Sequence, residues 1–387
     1  MTGRNPTAVS VIIPVHNAGA LLAEVLRSVL AQFRDDRPHE ILIVDDGSCD
    51  GAVKAALSAC GGAQVVLLAG GGAGPAAALN LALAAARFPL VAQVDQDVVL
   101  EDGWLAHLVA AIGAADVAAV QGQYIADPQG SLLARVMGRD LQERYAALRD
   151  DTDHVCTGNV LYRTEALRAV GGFDASLGYG YDNDMSYRLR AAGYRLRYCA
   201  EARSTHQWRE GLVGYARQQY GFGYGRLDLI AKHRGRLRGD SVSPALMMLH
   251  PILAGAAIGL AALGTLSTAP RARLAVECAA GIFALLIGER LVVGIRAAAR
   301  FRDWVPLLFP FAHLVRDLAW VGAIVVWLIR RVAGVSRQPR HSMRPRAGVM
   351  RTRTDPAPVS PDDVSGADRS DRASGRSLHA RQPSGAR

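Results

Sequence analysis

Lysine is almost absent: Lys54 and Lys232 are the only two in 387 residues, and every other basic side chain is arginine or histidine. Such a bias follows a GC-rich coding sequence more often than a binding surface. The net charge of +9 therefore does not argue for nucleic acid, and no basic helix interleaved with aromatics supports such a partner. Cysteine is sparse as well. Cys49, Cys60, Cys156, Cys199 and Cys278 lack metal-ligand or redox spacing, and an odd count argues against a complete disulfide framework. A reducing, cytoplasmic setting fits. The opening "MTGRNPTAVSVIIPV" has too short an apolar run for a signal-peptide core and reads instead as a first strand.

What is present divides the chain into three parts. Residues 1–240 read as a globular domain, 241–332 as a membrane region, and 333–387, rich in Arg, Ser, Pro and Asp, as a disordered tail. In the first part short apolar runs alternate with helical patterns: strands at 8–15, 40–46, 63–69 and 89–95, and helices at 20–32, 51–60 and 75–87. Nearly continuous Val/Ile/Leu strands between helices suit a mostly parallel sheet covered on both faces, an α/β fold. Ligands of such sheets bind beyond the carboxyl ends of the strands. The loops there read "PVHNAG", "DDGSCDG", "GGGAGP" and "DQD". Turn chemistry accounts for their Asn, Gly and Pro but not for the repeated carboxylates.

The stretch "LHPILAGAAIGLAALGTLSTA" (249–269) runs for a bilayer's thickness without a charge. Segments 274–297 and 304–329 are weaker spans. The first of these carries Glu277, Glu289 and Arg290, the second His313, Arg316 and Asp317, so either could lie in the interface plane. The basic flank "AKHRGRLRGD" (231–240) predicts a cytoplasmic N-terminal domain on the cytoplasmic membrane. Arg330 and Arg331 then put a second basic flank after the last segment. Two basic flanks on one side require an even number of spans, which conflicts with three.

Asp95 and Asp97 stand at the mouth of the fourth strand. Two carboxylates at this spacing can reach one hard divalent cation, which in turn binds substrate phosphates. Asp182, in "GYGYDNDMSYRLRAAGYRL", precedes a helical pattern and could cap it, with Asp184 adding favourable charge in the first turn. His206 is either a surface residue or a cation ligand, following what reads as an edge strand. Arg217, Gln218, Gln219 and Tyr220 sit either near an acceptor or on an amphipathic interfacial helix.

Taken together, "VSVIIPVHNAGALLAEVLRSVLAQ", "EILIVDDGSCDG", "GGAGPAAALNLALAAARFPLVAQVDQDVVLEDGWL" and "TGNVLYRTEALRAVGGFDASLGYGYDNDMSYRLRAAGYRLRY" resemble family 2 glycosyltransferases of the GT-A fold, over residues 8–225. Members of that family also carry C-terminal membrane helices. The resemblance implies an inverting enzyme that uses a divalent cation (Mg or Mn) and a nucleotide-diphosphate sugar donor. It assigns Pro14, His16, Asn17, Asp46 and the loop glycine Gly74 to the nucleotide side. Asp95 falls at the ribose and metal, Asp97 at the metal, with His206 a third metal ligand, and Gly158 and Asn159 in the sugar and acceptor pocket. Asp182 falls at the catalytic base. The chemistry agrees, since the transfer needs charge neutralisation at a leaving diphosphate and a base at the attacking hydroxyl.

Two departures stand out. The family's "ED" pair is Tyr181-Asp182 here, and its "ARN" is Ala78-Leu79-Asn80. Both predict altered donor or acceptor contacts in an active enzyme. Membrane tethering favours a lipid-linked or cell-envelope glycan acceptor, and the lack of an intact QxxRW motif favours addition of a single sugar. Two other readings compete. One is a membrane-anchored nucleotide-sugar-binding partner of another transferase. The other is a nicotinamide-dependent oxidoreductase, suggested by Gly72-x-Gly74-x-x-Ala77 with Asp95 downstream.

Overall fold

A computed structural model describes residues 8–33, 37–60, 65–208, 211–268 and 270–335. Residues 336–387 of the tail read as disordered lie outside that range. The first half follows the alternation expected from sequence: β1 (Val9–Val15), α1 (Leu21–Leu30), β2 (His39–Asp45), α2 (Ala52–Ala59), β3 (Val65–Ala69), α3 (Pro75–Ala85) and β4 (Leu90–Val94). Next come β5 (Val98–Leu100), α4 (Trp104–Ile112), β6 (Val117–Ile125), α5 (Leu132–Tyr145), β7 (Asp151–Thr152), β8 (Asn159–Arg163), α6 (Thr164–Ala169) and α7 (Tyr181–Ala191). The chain continues through β9 (Arg195–His206) and α8 (Leu212–Lys232) to three long helices, α9 (Ala245–Leu266), α10 (Ala272–Phe301) and α11 (Phe309–Val332).

The sheet runs β3-β2-β1-β4-β8-β6-β9-β5, with β7 paired to β9. Strands β1 to β4 pair in parallel, β8 runs antiparallel between β4 and β6, and β6 and β9 are parallel. Because side chains alternate across a strand, β1 feeds two cores. Val9, Val11, Ile13 and Val15 join the layer of α1 and α4, while Ile12 joins that of α3 and α7. Helix α1 meets its layer through Leu22, Val25, Leu26 and Val29, a helical stripe. Pro75 opens α3 where its missing N–H costs nothing.

The topology corrects one expectation. His206 does not follow an edge strand: β9 lies between β6 and β5, and His206 pairs with Val98 of β5. Since β5 starts one residue after Asp97, this register delivers His206 to the acidic loop.

Three helical segments are long and apolar enough to cross a membrane: Ala245–Leu266, Ala272–Phe301 and Val305–Val332. Their ionisable side chains nearer the middle, His250, Glu289, Arg290, His313, Arg316 and Asp317, turn toward protein, while those nearer the ends are exposed. Arg290 of α10 and Asp317 of α11 form a buried ion pair. His313 Nε2 lies 2.8 Å from Asp140 Oδ1 of α5. Asp303, between α10 and α11, accepts hydrogen bonds from Arg139 (2.9 Å) and Arg135 (3.3 Å) of α5. The long C-terminal helices are thus bonded to α5 of the sheet domain.

Candidate active site

Loops at the carboxyl ends of β1, β2, β3 and β4 meet on one rim and are tied together by side-chain to backbone hydrogen bonds. Gln96, the middle residue of "DQD", accepts from His16 N–H (2.7 Å) and donates to the His16 carbonyl (3.2 Å). Asn17 adopts φ of 50°, and its Oδ1 accepts from Cys49 N–H at 2.9 Å. Asp46 is buried, and its two oxygens accept from the N–H groups of Ala73 (2.9 Å) and Gly74 (2.7 Å). In this structure, then, Asp46 fastens the glycine-rich loop. His16 and Asn17 are exposed on the outer rim and Pro14 is half-buried at the end of β1.

Behind this rim a cavity of about 560 Å³ is lined by Asp95, Asp97, His206 and Asp182, among others. The three carboxylates come from two regions distant in sequence, and the sheet brings them together. Asp97 Oδ1 and His206 Nε2 are 3.7 Å apart, within the roughly 3–4 Å that two ligands of one cation with bonds of about 2.1 Å span. Gln93 Nε2 donates to Asp95 Oδ1 at 2.8 Å. Burial, with Asp97 and Asp182 adding like charge, pushes the Asp95 carboxyl up to about 8. Crowded acids of this kind are stabilised by a cation, and Asp97 and His206 stand at a separation that fits one divalent ion, although Asp95 does not close with them into a three-ligand group among the described residues.

Gly158 is required by this packing. Its φ is +90°, and a Cβ on it would lie 2.5 Å from Asp95 Oδ2. Asn159, by contrast, is fully buried in β8 and accepts from Trp104 Nε1 at 2.5 Å. It braces α4 against the sheet and does not line the cavity. Leu79 is fully buried in the core, so the "ALN" departure falls on a packing position. Asn80 bonds both the N–H and the carbonyl of Phe173, each at 2.7 Å.

The cap reading of Asp182 is corrected. Helix α7 begins at Tyr181, its N-cap is Gly180, and no side chain caps it. Asp182 therefore sits in the first turn, where its carboxylate suits the helix dipole, and Oδ1 accepts from Asn183 N–H at 2.8 Å. Asp184 also lies in the first turn, as expected, and is buried and held by Arg188 (2.8 Å) and Lys232 (2.6 Å). Tyr181, in place of the family's acid, adds a half-buried phenol to the cavity wall.

His154 is a residue that sequence reasoning missed. It is buried, and its Nε2 lies 3.8 Å from Asp182 Oδ2. Burial opposes its charge, yet Cys156, Asp240 and Asp182 hold the imidazole well above its ordinary value. The ligand atoms of His154, Cys156 and Asp182 lie within 4.8 Å of one another. The only sequence signal was its place just before "CTGN". Ser186 fastens this loop to α7: its hydroxyl accepts from Val155 N–H (3.1 Å) and donates to the Asp182 carbonyl (2.9 Å). Of the α8 residues singled out from sequence, Gln218 and Gln219 line the cavity.

Such a sheet, with an acidic loop at the end of β4 and a lone carboxylate facing it at the start of α7, defines a GT-A glycosyltransferase fold with a nucleotide-sugar site. The family model for glycosyl transferase family 2 matches residues 10–171. The chain is 30% identical over 359 residues to the pre-mycofactocin glycosyltransferase of Mycobacterium tuberculosis, covering 85% of this chain and 73% of that one. It is also 30% identical over 165 residues to the succinoglycan biosynthesis protein ExoA of Rhizobium meliloti, covering 42% and 44%. Among solved structures it resembles the mannosyltransferase PcManGT from Pyrobaculum calidifontis in complex with GDP-Man and Mn2+. That likeness has a TM-score of 0.52 at 20% identity and covers 82% of this chain and 88% of that one. The protein belongs to glycosyl transferase family 2.

Proposed function

We propose that this glycosyltransferase moves a sugar, with inversion, from a nucleotide-diphosphate sugar to an acceptor presented at the membrane, a lipid-linked or cell-envelope glycan. The observation that carries the reading is the shared cavity of Asp95, Asp97 and His206 on one side and Asp182 on the other. Asp97, His206 and Asp95 would hold a divalent cation, Mg or Mn, which when bound neutralises the charge of the leaving diphosphate. Asp182 takes the proton of the acceptor hydroxyl. The hydroxyl oxygen bonds to the anomeric carbon as the bond from that carbon to the diphosphate oxygen breaks, and one displacement inverts the centre. His154, beside Asp182, balances the negative charge of the base in a site already crowded with carboxylates.

Support for a membrane-proximal acceptor is the makeup of the cavity wall. Met247 of α9 and His313, Arg316 and Trp320 of α11 line the same space as Asp182. The basic flank at 231–240 supports the cytoplasmic face for the catalytic domain. A panel of nucleotide sugars, incubated with the purified full-length protein with and without a chelator, tests the donor half. Nucleoside diphosphate should be released from one donor, only with cation, and not by Asp97→Asn. Release that survives chelation contradicts the cation assignment.

A further inference from the structure

We propose that the chain crosses the membrane twice, through α9 and α10, and that α11 lies in the headgroup interface on the catalytic domain's side, docked along α8. Length and composition alone make α11 a third span, but its packing does not allow it.

Successive turns of α11 meet successive turns of α8. The Tyr215 hydroxyl donates to the Ala312 carbonyl at 3.1 Å. Gly223 offers a bare surface to the Trp320 ring, whose Cγ would be 2.9 Å from any Cβ placed there. Trp327 Nε1 donates to Asp228 Oδ1 at 2.9 Å, and the Arg330 guanidinium stands 5.9 Å from the Tyr224 ring centre. Helix α8 carries Arg217, Arg226, Asp228 and Lys232 together with Gln218 and Gln219. Ionised side chains at this density do not enter hydrocarbon, so a helix that follows α8 from Tyr215 to Asp228 stays out of it too.

The outer face of α11 agrees. Its exposed apolar residues include Phe311, Leu318, Val325 and Val332, a row spaced by seven that forms one stripe, with His313, Arg316 and Asp317 buried on the protein side. One apolar stripe, ending in Arg330 and Arg331, is the pattern of a helix lying in the plane of the headgroups. Among the described residues, helices α9 and α10 pack mainly on each other and on α11, meet the charged helix α5 only near the end of α10 through Arg300 and Glu143, and expose apolar side chains widely.

Two crossings also remove the conflict between the basic flanks. The flank at 231–240 and the pair Arg330-Arg331 fall on one side, as the positive-inside rule asks. The topology stands whether or not Asp182 is the base. Resting on the acceptor reading above, it adds that the acceptor's reacting group reaches Asp182 from headgroup depth, past Gln218, Gln219 and Trp320.

The test uses the full chain in a bacterial host, with a folding reporter fused at either end and an alkaline phosphatase inserted between Ser267 and Arg271. Both ends should report one compartment and the 267–271 loop the other. Ends in opposite compartments overturn the proposal, as does a loop on the same side as both ends. Both ends outside with the loop inside would support two crossings and contradict only the cytoplasmic placement. A spin label at Val325 should report headgroup depth, and a label at the bilayer midplane overturns the placement of α11.

Discussion

Gly158→Ala separates backbone strain from damage to the site. The added Cβ would lie 2.5 Å from Asp95 Oδ2, 2.7 Å from Cγ and 3.0 Å from Cβ, so reaching ordinary contact at 3.4 Å asks the carboxylate to retreat by about 0.9 Å. Asp95 has little freedom to do so, being half-buried and bonded to Gln93 on its other oxygen. An L side chain at φ of +90° costs about 1–3 kcal/mol, and the overpacking about 1–3 kcal/mol more. Gly193→Ala is the control. It has the same φ of +90° with no atom within 4 Å of the added Cβ, so it carries the strain alone. Both variants should therefore lose thermal stability, Gly158→Ala more. Only Gly158→Ala should lose about 10²-fold in cation-dependent donor turnover, the cost of misplacing a reacting group by about 1 Å, with a higher half-saturating cation concentration. Thermal unfolding and a Mn2+ titration of turnover read the two effects. Equal stability of the variants with an unchanged Mn2+ titration would refute the reasoning.

Other outcomes follow from the same geometry. His206→Ala should raise the half-saturating cation concentration about tenfold, equivalent to about 1.4 kcal/mol, and leave the fold intact by circular dichroism; an unchanged titration would remove His206 from the cation site. Asp240 is buried and bonded to Arg226 at 2.9 Å, Asn183 at 3.0 Å and Tyr187 at 3.0 Å, so Asp240→Ala should cost about 3–5 kcal/mol by stranding a buried guanidinium. Burial raises the Asp240 carboxyl, but His154 and Arg226 outweigh it and hold the group well below the usual carboxylate range. A depressed carboxylate stabilises the fold fully above its unfolded value of about 4 and loses that contribution as pH falls below it. Thermal midpoints measured from pH 6 to 3 should therefore drop less steeply in the variant than in the wild type.

Much of the catalytic half was legible because its signals are local. A buried parallel strand is a continuous apolar run, and the run at 89–95 stops where the carboxylates of Asp95 and Asp97 must face the rim. What escaped depends on pairing across the sheet. No pattern around His206 shows that β9 will run beside β5 and end against Asp97. The resemblance assigns Asn159 to the pocket, yet alternation along β8 turns it into the core toward Trp104. His154 carried no motif, and only the contact of its loop with α7 sets it beside Asp182. Helix α11 read as either a weak span or an interfacial segment, and hydropathy, which counts residues and not neighbours, does not decide between the two. The polar helix packed along it cannot be seen from residues 304–329 alone.

The most direct test of the account is donor binding and sugar transfer measured side by side for Asp182→Asn, in the full-length protein with saturating Mn2+. Nucleotide-sugar affinity should stay within about twofold of the wild type, while transfer falls by about 10³-fold, within the range of general base catalysis. Transfer continuing at the wild-type rate with the donor bound would contradict the assignment of Asp182 as the base on which the mechanism rests.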